Sequence, residues 1–184
     1  MKVELETKRL ILKTLDSSYG LSALNYQLKN RTFFESKAPK FSDDFFTLDY
    51  QSNILRNLER DSDEGRSVKF FIFKKNDLQT ITGDVSISNI VRGIFLSCHL
   101  GYMLDENENG KGYMNEALTE IIKYAFNEIE LHRIEANIMP SNTRSINLIK
   151  QLGFTEEGLA KKYLKINGTW EDHIHYVLLN EKME

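Results

Sequence analysis

The segment at 101–118, GYMLDENENGKGYMNEAL, constrains the fold of this chain more than any other stretch. A short apolar strand leads into an acidic turn and then into Gly110-Lys111-Gly112, and an amphipathic helix begins just after the second glycine. Glycines at such a junction let the backbone turn sharply and place no Cβ above it. The first N–H groups of the helix then point at one spot, where the helix dipole also favours an anion. The segment predicts a phosphate cradle built from backbone.

Two common phosphate-binding patterns are absent from the sequence. A P-loop would carry Lys-Ser/Thr after its last glycine, and a dinucleotide fold would carry GxGxxG near an N-terminal strand, with an acidic residue about 20 positions on. A glycine-rich connection by itself is often only a turn, so the assignment needs a second feature.

The second feature is HRIEANIMPSNTRSINLIKQLGF at 132–154. It predicts a strand closed by Pro140 and then a helix with Ser141 or Asn142 as its N-cap. Gly153 stands where the helix C-cap is expected. The apolar residues of this helix are Ile146, Leu148, Ile149 and Leu152. The chain thus holds two consecutive strand–loop–helix units.

Together the two units resemble the GNAT superfamily of acyl-CoA-dependent N-acetyltransferases. In that family Q/R-x-x-G-x-G/A holds the pyrophosphate of CoA, and a following N-x-x-S…GF stretch lines the pantetheine arm. The matching residues of the second stretch are Asn142, Ser145, Gly153 and Phe154. TKRLILKTL near the start and FTEEGLAKKYLKINGTWEDHIHYVLL at the end resemble the RimJ/RimL branch, which acetylates N-terminal alanine or serine of ribosomal proteins. The resemblance covers nearly the whole chain.

The resemblance implies an α/β (α+β) fold in one domain, residues 1–184. Its sheet is expected to be mixed and largely antiparallel, flanked by helices, with a splayed central strand pair that holds CoA. Apolar periodicity predicts a first helix that buries Leu21, Leu24 and Leu28. A loop is predicted at 31–42, followed by a helix that starts after Ser42 and ends before Gly65. The other predicted elements are strands at 9–15, 68–75, 79–91, 93–104 and 133–139, helices at 113–128 and 142–152, and a hairpin at Asn167-Gly168.

The resemblance implies acetyl-CoA as cosubstrate and no metal. The implied cofactor-binding residues are Met103, Leu104, Asn109, Gly110, Lys111, Gly112, Tyr113, Met114, Asn142 and Ser145. One position departs from the family motif, because Asn107 stands where Gln or Arg is usual. The turn also carries Asp105, Glu106 and Glu108, which would oppose a diphosphate by about 1 kcal/mol or more at 5 Å. These carboxylates are therefore expected to point away, with Lys111 as the possible counter-charge.

The resemblance also implies the outline of catalysis. A backbone N–H around Tyr102 to Leu104 would bind the thioester oxygen, and Ser145 is the candidate catalytic acid for the leaving sulfur. The alternative for Ser145 is a hydroxyl that bonds its own helix backbone. No general base is assigned, because the family glutamate position is Leu164 here; a water relay and the loop carboxylates stay open, namely Glu35, Asp43, Asp44, Glu106 and Glu171.

Composition restricts the remaining possibilities. The net charge of −3 argues against the basic face that direct nucleic-acid binding requires. Cys98 is the single cysteine, and neither an apolar signal region nor a long apolar run is present, so we expect a cytoplasmic protein without membrane contact, a monomer or a homodimer. The four histidines match no metal or Ser-His-Asp motif.

The expected acceptor is a protein N-terminus, possibly ribosomal. The alternatives are a small amine (polyamine, amino acid or antibiotic) or a non-catalytic acyl-CoA-binding module.

Overall fold

The computed structural model describes residues 2–36 and 40–183, which form one open sheet with helices on both faces. In these ranges the strands are β1 (Glu4–Glu6), β2 (Leu10–Lys13), β3 (Val68–Lys74), β4 (Asp77–Val91), β5 (Ser97–Leu104), β6 (Arg133–Ile138), β7 (Thr155–Ile166) and β8 (Thr169–Leu179). The helices are α1 (Gly20–Glu35), α2 (Leu48–Asp63), α3 (Tyr113–Asn127) and α4 (Thr143–Gln151). No helix of the described residues is long and apolar enough to cross a membrane.

The sheet runs in the order β1-β2-β3-β4-β5-β6-β8-β7. Every neighbouring pair is antiparallel except β5 and β6, which are parallel. These two strands pair only between Ser97–His99 and Arg133–Glu135, although both continue further. They therefore diverge at their carboxyl ends and leave a gap in the sheet. The predicted fold class, with its splayed central pair, is confirmed.

Strand alternation divides the buried side chains into two cores, one on each face of the sheet. On β3, for example, Phe70 and Ile72 belong to one core, and Phe71 and Phe73 to the other. The first core packs under α3 and α4, and the second under α1 and α2. Both α1 and α2 contact the β3–β4 part of the sheet.

The predicted burial of α1 is wrong, because Leu21 and Leu28 are 59% and 48% exposed. The helix instead buries a mixed face that includes Tyr26, Asn30 and Phe34. Polar and aromatic members of this face have partners elsewhere; Asn30 Oδ1, for instance, accepts the N–H of Glu106 at 3.0 Å. Apolar periodicity alone does not detect such a face.

Three boundaries also differ from the prediction. The helix predicted to start after Ser42 begins at Leu48, because Asp43–Phe46 form a separate 3-10 turn and the extended Thr47 is the N-cap of α2. The predicted loop at 31–42 overlaps α1, which continues to Glu35; an Arg31–Glu35 ion pair at 3.0 Å supports its last turn. The strand predicted from residue 93 begins only at Ser97, because Gly93 and Leu96 have positive φ and form a turn. The short β1 strand was not predicted.

Candidate active site

A cavity of about 650 Å³ opens where β5 and β6 diverge. Its volume lies in the range of small-molecule and cofactor sites. Nine of the ten sequence-predicted cofactor residues line it: Met103, Leu104, Asn109, Gly110, Gly112, Tyr113, Met114, Asn142 and Ser145. The turn after β5 and the starts of α3 and α4 thus face one space, although they are separated in sequence.

The glycine loop has the backbone form that an anion cradle needs. Gly110 and Gly112 have φ values of +79° and +77°, and Gly112 is the N-cap of α3. A side chain at either position would be strained, since L residues rarely adopt this conformation. A Cβ on Gly110 would meet nothing within 4 Å, so the space above this glycine is open. The first N–H groups of α3 are therefore accessible from the cavity side.

The loop is anchored to β2 through the first turn of α3. The Glu116 carboxylate accepts hydrogen bonds from the Thr7 hydroxyl at 2.6 Å and from Arg9 N and Nε at 2.7 and 2.6 Å. Arg9 Nη1 also donates to the Lys111 carbonyl at 3.0 Å. Burial raises the pKa of Glu116, but the bonds from Thr7 and Arg9 outweigh it and the pKa is lowered overall. An ionised carboxylate thus holds the loop in place.

The acidic turn does not face the cavity. Asp105 is 1% exposed and forms an ion pair with Lys29, at 2.5 Å. Glu108 accepts bonds from Lys111 at 2.8 Å and from Lys74 at 2.9 Å, and the pKa of Glu108 is lowered, chiefly by the Lys111 bond. Glu106 and Asn107 are exposed and do not line the cavity. The carboxylates point away, as expected.

Lys111 differs from the expectation. Its ammonium bonds Glu108 and the residue does not line the cavity. Arg144, which the sequence reasoning did not select, does line it. The sequence holds a signal for Arg144, because a cation in the first turn of a helix is unfavourable unless an anion offsets it.

Asn142 and Ser145 lie at the start of α4. Asn142 is the N-cap, and its Oδ1 accepts the N–H of Ser145 at 3.3 Å. The Ser145 hydroxyl bonds no backbone group within the part of the chain that the structure describes, and its side-chain partner there is the Tyr102 hydroxyl. It is half-buried and lines the cavity, so it does not cap its own helix.

Tyr102 approaches the same point from β5. Its hydroxyl lies 3.5 Å from the Ser145 carbonyl oxygen. Burial raises the pKa of Tyr102 to about 12, against a smaller opposite effect of the bond to Ser145. The phenol therefore keeps its proton at neutral pH. The sequence analysis considered only the backbone of this residue.

Backbone donors of β5 face the gap. Asp105 N donates to Thr82 O at 2.8 Å, towards β4. Because successive N–H groups of a strand point to opposite edges, the N–H groups of Leu104 and Tyr102 are directed to the edge nearest β6. No β5–β6 pairing occurs at this level. These donors are placed to bind an oxygen in the gap.

A second cavity, of about 210 Å³, lies on the other face of the sheet under α1 and α2. Met103 lines both cavities, and the last turn of α1 gives Phe33 to the first and Phe34 to the second. Other walls of the second cavity are Phe41, Phe45, Ile54, Phe71 and Asp84. The two spaces therefore lie on either side of Met103, at the carboxyl end of β5.

Leu164, the family glutamate position, lies on β7 with 43% of its surface exposed, and Glu171 is its cross-strand partner. Among the residues that the structure describes, no carboxylate lines the larger cavity. Within residues 2–36 and 40–183 no three His, Cys, Asp or Glu side chains are grouped as metal ligands.

A central gap between parallel strands, glycines at a helix start and backbone donors aimed into the gap define an acyl-CoA-dependent transferase site. Residues 9–155 match the family model described as an acetyltransferase (GNAT) domain. The chain belongs to the GNAT family and is an acetyl-CoA-dependent acyltransferase. It is therefore an enzyme and not a non-catalytic acyl-CoA-binding module.

The relatives place the chain in the predicted RimJ/RimL branch. Probable N-acetyltransferase YjcK of Bacillus subtilis (strain 168) is 38% identical over 176 residues, covering 96% of this chain and 97% of that protein. The structure of ribosomal-protein-S5-alanine acetyltransferase from Vibrio fischeri is 37% identical, with a TM-score of 0.93 and 99% of both chains covered. Mycobacterium smegmatis RimJ, solved in complex with CoA-disulfide, is 25% identical, with a TM-score of 0.89, covering 99% of this chain and 88% of that one.

Proposed function

We propose that this protein transfers the acetyl group of acetyl-CoA to the N-terminal amine of a protein that begins with alanine or serine, possibly a ribosomal protein, in the cytoplasm. The observation that carries the proposal is that Met103 lines two cavities, one on each face of the sheet. A cofactor in the larger one would present its thioester at the gap. The amine would then arrive from the other face. The name of the Vibrio fischeri relative supports the choice of acceptor.

In this proposal the chain supplies binding and orientation. The N–H groups at the starts of α3 and α4, with Arg144, hold the diphosphate of the cofactor, while Asn142 contacts its pantetheine amides. The Leu104 and Tyr102 N–H groups stabilise the oxyanion that forms when the amine attacks the thioester. Ser145, with Tyr102 beside it, gives a proton to the departing thiolate and regains one, through water, from the amine nitrogen, which loses a proton as the amide forms.

Thiol release with a panel of acceptors tests the proposal. Peptides beginning with Ala or Ser are compared with the same peptides blocked at the α-amine and with polyamines and free amino acids. We expect thiol release and a mass increase of one acetyl group only for the free peptides. Turnover with small amines but not with peptides would show that the acceptor is a small amine and not a protein N-terminus. Binding of acetyl-CoA without any turnover would contradict the proposed catalysis.

A further inference from the structure

The second cavity has the dimensions of a side-chain pocket. Its volume of about 210 Å³ exceeds the roughly 150 Å³ of an apolar cavity that holds benzene. Phe41 and Phe45 stack at 3.9 Å between ring centroids on one side of it, and Phe41 is 47% exposed. Phe34, Ile54 and Phe71 add further apolar wall. Alanine or serine alone would leave such a space largely unfilled.

The one carboxylate that lines this pocket is already neutralised. Asp84 is 5% exposed, and its oxygens accept bonds from Lys69 at 2.8 Å and from the Tyr26 hydroxyl at 3.0 Å. Burial, followed by the Asp84 charge, raises the pKa of Tyr26 well above its usual value, so the phenol remains a donor. Lys69, Gln27 and Gln51 also line the pocket, but Lys69 is the partner of Asp84, and Gln51 Nε2 donates to the Phe45 carbonyl at 2.7 Å. A charged side chain entering the pocket would lose hydration without gaining a free opposite charge among the described lining residues. An apolar side chain has no charge whose hydration would be lost on entering the pocket.

The spacing of the strands decides which acceptor residue reaches the pocket. Asp84 and Phe71 lie on β4 and β3, one and two strands from β5, whereas the gap lies at the opposite edge of β5. With strands about 4.8 Å apart, the pocket extends from Met103, beside the gap, to walls roughly 7 to 12 Å from the gap. In an extended peptide the first Cβ is about 2.5 Å and the second roughly 6 Å from the terminal nitrogen. A leucine or methionine side chain at the second residue reaches these walls, whereas an Ala or Ser side chain at the first residue ends near Met103 and the third side chain projects to the other side of the peptide.

We propose that this pocket, defined by Phe34, Phe41, Phe45, Ile54 and Phe71, binds an apolar side chain at the second residue of the acceptor, in the size range of leucine or methionine. The inference rests on the proposed function, since it assumes a peptide whose terminal amine lies at the gap. It narrows the substrate class to N-termini with a small first and an apolar second residue.

The test compares kcat/KM for peptides that differ only at the second residue. With Ala first, we expect Leu or Met second to exceed Gly by roughly tenfold or more. Peptides with Asp or Lys as the second residue should have kcat/KM values no higher than that of the peptide with Gly. Equal values for Gly and Leu in the wild-type protein would overturn the inference while leaving the proposed function intact. Failure of every peptide would count against the proposed function itself.

Two variants connect the preference to the pocket. Ile54→Trp should fill it and bring the Leu/Gly ratio to about 1, with the Gly peptide still acetylated. Leu58→Trp is the matched control, because Leu58 lies one turn further along α2 and does not line this pocket. Phe41→Ala, at the exposed rim, should lower the Leu/Gly ratio several-fold. This variant replaces Ile54→Trp in the test if Ile54→Trp does not fold. Each ratio is measured within one preparation, so a reduced folded fraction cancels. An unchanged ratio in Ile54→Trp, or in Phe41→Ala when that variant serves, would refute the pocket.

Discussion

The Ser145 hydroxyl is available for chemistry because it lines the larger cavity beside the Tyr102 hydroxyl and bonds no backbone group of the described chain. Ser145→Ala should therefore lower kcat by roughly tenfold or more, while the dissociation constant for acetyl-CoA and the melting temperature stay nearly unchanged. Steady-state kinetics, a binding titration and thermal unfolding on one preparation check this.

Tyr102→Phe is the companion variant, since it removes the neighbouring hydroxyl and keeps the ring. If Ser145→Ala loses stability by about 0.5–2 kcal/mol with normal kcat, the serine is a structural residue and leaves the mechanism. A loss of kcat in Tyr102→Phe alone would assign the proton transfer to the tyrosine.

The cradle glycines give a second prediction at this scale. Gly110→Val places a branched side chain in a left-handed conformation, in the open space above the loop, and should weaken CoA binding by roughly tenfold or more, or about 1.4 kcal/mol. Gly65→Val is the matched control, because Gly65 has a φ of +69° and equally open surroundings but does not line the cavity. Isothermal titration with CoA distinguishes them. Equal CoA affinity in the two variants would show that the glycine loop is only a turn and does not bind the cofactor.

At the scale of elements, the start of α3 is fixed by a carboxylate. The folded-state pKa of Glu116 is below its ordinary value of 4.5. The stability from its bonds is therefore complete above about pH 4.5 and is lost as the pH falls through the folded-state pKa. Glu116→Gln should cost roughly 2 kcal/mol at pH 7 and flatten the fall in melting temperature on acidification.

Thermal unfolding from pH 7 to pH 3 tests this prediction. Glu120→Gln, one turn further along α3, is the control, because Glu120 bonds only Lys123 at 3.0 Å among the described residues. Parallel pH profiles for wild type and Glu116→Gln would show that the anchor does not depend on charge.

The elements also show what a sequence can predict. α3, α4 and the β7–β8 hairpin lie within one or two residues of their predicted bounds, because their glycines, caps and turn residues act over a few positions. α1 was mispredicted because its buried face includes Tyr26 and Asn30. Tyr26 bonds Asp84, 58 residues away in sequence, and no local periodicity encodes such a partner.

For the whole molecule, we expect tight binding only from a ligand that fills both the part of the larger cavity at α3 and the part at α4. Acetyl-CoA at 100 times its dissociation constant should stabilise the folded state by about 2.7 kcal/mol, or roughly 5–10 °C in melting temperature for a chain of this size. NAD and ATP carry phosphates but no pantetheine arm for the space beside α4, so we expect shifts under about 1 °C. Differential scanning fluorimetry with the three ligands measures this, and equal shifts would contradict the cofactor assignment.

The sequence by itself determined the family, the sheet with its two strand–loop–helix units, and nine of the residues that line the larger cavity, out of ten predicted. These features are encoded locally, in glycine positions, helix caps and strand alternation. Only the tertiary structure decided that Lys111 pairs with Glu108 and faces away, that Arg144 and Tyr102 line the cavity, and that Met103 also lines a second cavity. The direction of a side chain depends on partners brought together by folding, as when Arg9 bonds Glu116 across 107 residues, and such partners leave no trace in local sequence.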